Sequence, residues 1–119
     1  MIKYHNSENS IIAELIDNEF IINQSQHVLD LLGEMVEHNC RRIIIHEKKF
    51  HKDFFNLRTG LAGEILQKFS NYHIRLALVG DFSRFTSKSL QDFIRESNKG
   101  QIVFFTESVE SAIKRLAMK

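Results

Sequence analysis

Three short apolar runs do most to limit what this chain can fold into: Arg42-Ile43-Ile44-Ile45-His46, Ile74 to Val79 and Gln101 to Phe105. Each is too short for a stable core helix. Each carries apolar residues at consecutive positions, the mark of a strand covered on both faces. Before, between and after them lie segments with helical spacing. Val28, Leu31, Leu32, Met35 and Val36 form one face of a helix from about Ser25 to His38. Leu61, Ile65, Leu66 and Phe69 form a second, ending near Asn71, and Leu90, Phe93 and Ile94 a third within Ser87 to Asn98. Val109, Ala112, Ile113, Leu116 and Ala117 form a last stripe, with Thr106 as the expected cap. Asn39 and Gly100 read as helix stops. Strands that alternate with single helices pair in parallel through right-handed crossovers.

The first part of the chain reads differently. Ile2 to His5 suits an edge strand, and Ser10–Ile16 and Glu19–Asn23 flank Asp17-Asn18, a pair suited to a two-residue hairpin turn. The expected fold is therefore α/β: a single layer of mixed, mostly parallel sheet with an N-terminal β-hairpin and about four helices, in one domain spanning residues 1–119.

Composition removes several function classes. A net charge of +1, with basic residues clustered no further than pairs, argues against nucleic acid as a partner. The apolar runs are far too short to insert into a membrane. No basic segment leads into an apolar one at the start, so no signal peptide is expected. The single cysteine, Cys40, has no intrachain partner and reads as a reduced, half-buried thiol. These features imply a cytoplasmic location.

Chemistry in a parallel sheet gathers beyond the carboxyl ends of its strands. Those ends are His46-Glu47, Gly80-Asp81 and Thr106-Glu107, all but the last within or beside the stretch Phe50–Phe82 and its flanks. The helix start at Asn56-Leu57-Arg58-Thr59-Gly60 offers a modification or anion site. Backbone N–H groups favour a phosphate there, and Arg58 would pair with one placed on Thr59. The same residues also suit simple capping, with Asn56 or Thr59 as N-cap and the glycines for close packing. Half of the ten phenylalanines lie in or beside the strand-end loops: Phe50, Phe54, Phe55, Phe82 and Phe85. They either close the core or leave Phe54, Phe55, Phe82 and Phe85 as an apolar surface for a protein partner or a second copy. A small-ligand or catalytic site built from His46, Asp53 and Asp81 is the other reading of this edge. No phosphate-binding glycine motif occurs, Ser83 lacks a nucleophile-elbow context, and the six histidines have no metal-ligand spacing. No metal and no cofactor are expected.

The segment FFNLRTGLAGEILQKF followed by HIRLALVGDF closely resembles an uncharacterised bacterial domain-of-unknown-function family, number 4180, over the whole length of the chain. More distantly, the architecture is similar to the STAS domain of anti-sigma-factor antagonists. Strand 42–46 leads through a loop to Thr59-Gly60, where those antagonists carry a phosphorylatable hydroxyl followed by glycine. The ending IVFFTESVESAIKRL resembles their last strand, Ser-Val-acidic turn and closing helix. The likeness implies a non-enzymatic regulatory module that docks on a protein partner and is switched at Thr59. The chain departs from the antagonists just before that hydroxyl: Leu57-Arg58 replace the expected acidic residue.

Overall fold

Five strands lie side by side in chain order, and that order decides where everything else sits. In the computed structural model, which describes residues 2–7, 10–16 and 21–118, they are β1 (Ile2–Ser7), β2 (Ser10–Leu15), β3 (Arg42–His46), β4 (Arg75–Val79) and β5 (Val103–Thr106). β1 is antiparallel to β2, and every later pairing is parallel. The helices are α1 (Ser25–Glu37), α2 (Leu61–Asn71), α3 (Lys88–Lys99) and α4 (Val109–Ala117), joined in part by short 3-10 turns. The mixed, mostly parallel sheet with an N-terminal hairpin and four helices is thus the observed architecture.

Crossovers of one hand that always step in the same direction put every crossover helix on the same face. Accordingly α1, α2 and α3 share one core with Ala13, Leu15, Ile43, Ile45, Leu76, Leu78, Val103 and Phe105. α4 follows the last strand and crosses to no other, so it is free to cover the opposite face. There it packs on Ile44, Ala77 and Phe104 through Ala112 and Leu116. Side chains alternate along a strand, so Ile43 and Ile45 point into the three-helix core and Ile44 into the α4 side. All three are fully buried, which is why the run is continuous.

Arginines tie α4 down. Arg42 Nε donates to the Leu116 carbonyl at 2.6 Å, and Arg75 Nη1 donates to Leu116 and Met118 at 3.0 and 2.7 Å. These cations satisfy carbonyls that the helix end leaves unpaired and sit at its negative pole. Arg75 and Arg115 also lie over the Phe104 ring, 5.2 and 4.4 Å from its centroid.

Several local expectations change. The hairpin pairs Ile2–Ser7 with Ser10–Leu15, closing between Ser7 and Ser10. The expected turn at Asp17-Asn18 lies outside the described residues, and Ile22 forms a lone parallel bridge with Phe50 instead of a strand partner for β2. Ile2–Ser7 pairs with β2 along all six of its residues. Ser108 caps α4 by accepting from the Ser111 N–H at 3.0 Å, while Thr106 ends β5 and donates its hydroxyl to Leu78 at 2.9 Å. Asn39 stops α1 in the left-handed conformation (φ 55°), and His73 does the same after α2 (φ 56°). Gly100 ends α3 without a positive φ. Cys40 is fully rather than half buried, its thiol directed at the Ile11 and Arg42 carbonyls.

Candidate functional site at the carboxyl ends of β2, β3 and β4

Glu14 breaks the apolar run of β2, yet it is as buried as its neighbours. Register explains its partners. Glu14 lies on the α4 face, and β1 places His5 opposite Ile12, one diagonal step away on that face. β3 places His46 one diagonal step away on the other side, since Glu14 itself is opposite Ile44. His5 Nε2 lies 2.8 Å from Glu14 Oε1, and His46 Nε2 lies 2.7 Å from Oε2. Burial pushes the Glu14 carboxyl up, but the hydrogen bonds from His46 and then His5 outweigh it and hold it below the ordinary glutamate range. A carboxylate only accepts. Both Nε2 atoms therefore carry a proton, and His46 keeps its Nδ1 for another partner.

Glu47 follows His46 directly and is also buried. Its Oε1 accepts the Asp81 N–H at 3.1 Å, and its Oε2 is ion-paired with Arg84. This carboxylate passes directly over Gly80. A Cβ built there would lie 2.5 Å from Glu47 Cγ, so only glycine leaves room for it. Between the strand ends opens a cavity of about 460 Å³, lined by Leu15, Ile16, His46, Glu47, Lys48, Lys49, Val79 and Gly80.

Of the residues singled out in the sequence, His46 belongs to this centre and the others sit around it. His46, Asp53 and Asp81 do not converge: among the described residues no hydrogen bond joins them. His46 binds Glu14, Asp53 lies 3.6 Å from His51, and Asp81 holds Ser83. The Ser83 hydroxyl and backbone N–H keep the Asp81 carboxyl below its ordinary range. Asn56 caps the 3-10 turn Leu57–Thr59 by accepting from the Arg58 N–H at 3.2 Å; the N-cap of α2 is Gly60, in the left-handed region at φ 77°. Thr59 is exposed, but its hydroxyl faces the loop, donating towards the Asp53 carbonyl at 2.7 Å and the Asn56 carbonyl at 3.0 Å. Phe50, Phe54 and Phe82 belong to the core. That leaves Phe55 and Phe85, half-buried and stacked at 4.9 Å, to meet anything outside, with the Arg84 guanidinium 4.2 Å from the Phe85 centroid.

His5, Glu14 and Arg84 escaped the sequence reading, and Glu47 was read there only as part of a strand end. One signal was available: an acidic residue inside an apolar strand run is a buried polar group that needs partners. Among the described residues no group of three or more His, Cys, Asp or Glu side chains could hold a metal ion, and no helix is long and apolar enough to cross a membrane.

A family match spans residues 7–116, from the end of β1 into the last turn of α4. The chain belongs to DUF4180, a domain of unknown function. No curated protein and no solved structure matches it. The DUF4180 match includes Glu14, His46, Glu47, Gly80 and Thr59, and His5 falls before it.

Proposed function

We propose that this DUF4180 chain is a non-enzymatic regulatory module of the STAS-like type, acting in the cytoplasm. It docks a protein partner through the 47–60 loop and the 80–86 loop, with Thr59 as its switch. The setting of Thr59 carries this reading. The residue is exposed at the start of α2, and its hydroxyl holds the loop by two carbonyls. A phosphate on that oxygen removes the donor, releases the Asp53 and Asn56 carbonyls, and adds a dianion beside Arg58. The released segment carries Phe55, which stacks on Phe85 beside Arg84. Modification at Thr59 and exposure of an aromatic contact are thereby coupled.

Affinity capture with wild type, Thr59→Glu and Phe85→Ala tests the module. A partner held by wild type and lost by both variants supports it. Identical partner sets for all three proteins, or none, refute it. Light scattering at several concentrations identifies the case in which the partner is a second copy.

A second reading, binding of a small ligand at the strand ends, is favoured by a different observation. The 460 Å³ cavity opens there, with His46 on its wall.

A further inference from the structure

We infer that the cavity at the ends of β2, β3 and β4 takes a small aliphatic carboxylate, an inference that rests on the ligand-binding reading and gives it a chemical class. A volume of about 460 Å³ suits a small organic molecule. Leu15, Ile16 and Val79 supply apolar wall, which calls for an apolar body on the ligand.

The polar lining selects the other end. Among the described residues, both carboxylates near the cavity are already engaged: Glu14 by two imidazoles, Glu47 by the Asp81 N–H and Arg84. A ligand cation would find no free acid among them to pair with. The groups with capacity left are the exposed Lys48 ammonium, which forms no ion pair among the described residues, and His46 Nδ1. One ammonium and one imidazole match a monoanion of carboxylate size.

His46 also makes the binding distinctive. Its Nε2–H is committed to Glu14, so donation to a ligand carboxylate needs a second proton on Nδ1. A neutral His46 imidazole therefore takes up a proton when the carboxylate binds. The charged groups around this imidazole are Glu14 from β2, His5 from β1 on the same carboxylate, and Glu47 with Arg84, Lys48 and the buried Lys49 from the loops.

The test is an amide-shift titration by NMR with acetate, butyrate and hexanoate, beside butyramide and butylamine as neutral and cationic probes of matching length. Carboxylates should move the Ile16, Lys48, Val79 and Gly80 amides, and affinity should rise about fourfold per added methylene. Lys48→Met, at an exposed position that folding tolerates, should weaken butyrate about two- to fivefold and leave butyramide unchanged. Calorimetry in buffers of different ionisation enthalpy should show proton uptake on butyrate binding, abolished in His46→Gln. If butylamine or butyramide binds the same amides as tightly as butyrate, the carboxylate assignment is overturned and the ligand reading stands. If no probe moves them at saturating concentration, both are overturned.

Discussion

Glu14→Gln asks whether a buried carboxylate is held for its charge or merely tolerated. Glutamine keeps the shape and removes the charge. The carboxylate accepts from two imidazoles at 2.8 and 2.7 Å. The amide can accept from only one, and its NH₂ group then faces a second Nε2 that must lose its proton to Nδ1. Charge-assisted bonds contribute about 1.5–3 kcal/mol each against about 1 for neutral ones. Relief of burying a charge works the other way, and in some proteins it cancels the loss. Here the carboxyl lies below its ordinary range despite burial, so the hydrogen bonds outweigh desolvation. The substitution should cost about 1–3 kcal/mol at pH 7. For 119 residues, at about 2.1 cal/mol/K of unfolding entropy per residue, that lowers the midpoint by roughly 4–12 °C. The sign of the pH dependence follows from the lowered folded value. The stabilisation is complete above the unfolded carboxyl pKa, about 4.3, and is lost as pH falls through the folded value. Thermal unfolding of both proteins from pH 7 down to pH 3 measures it. A difference within about 0.5 kcal/mol at pH 7, or one that does not shrink in acid, would refute the reasoning.

Gly80→Ala should destabilise by about 1–3 kcal/mol in urea unfolding, because the new Cβ meets the buried Glu47 side chain; most of that cost should vanish in a Glu47→Ala background. Asn98→Ala should cost about 1–3 kcal/mol, since the Asn98 side chain accepts from the Phe105 N–H at 2.7 Å on the outer edge of β5. Phe54→Ala should cost about 3–5 kcal/mol and Phe85→Ala clearly less, as the first ring is buried and the second half-exposed; equal losses would contradict that placement.

The fold was readable because its signals are local. Ile43-Ile44-Ile45, Ile74 to Val79 and the stripes of α1 to α4 each state their own period, and alternation forces parallel pairing. Asn39 announced the end of α1 for a conformational reason. Errors arose where two local solutions competed. A strand at 19–23 was expected beside β2, but Ile2–Ser7 and Arg42–His46 take both edges of β2. Thr106 and Ser108 both suit an N-cap, and the choice fell on Ser108 because Thr106 still belongs to β5.

The site was harder for a topological reason. His5, Glu14 and His46 are neighbours only because strands in sequential order bring β1, β2 and β3 side by side. Their face turns polar because α4, the one helix that is not a crossover, packs chiefly on β4 and β5. Neither fact is written in any short window. Of the residues that looked chemical, Asp81 and Thr59 spend their side chains on neighbouring backbone groups, and the Asp53 carboxylate lies nearest to His51, two residues before it. Loop polar residues do this routinely. Glu14 has no neighbour in sequence able to satisfy it, so its partners had to come from other strands. A buried acid without a local partner is thus the better pointer to a site assembled by the fold than an acid in a polar loop.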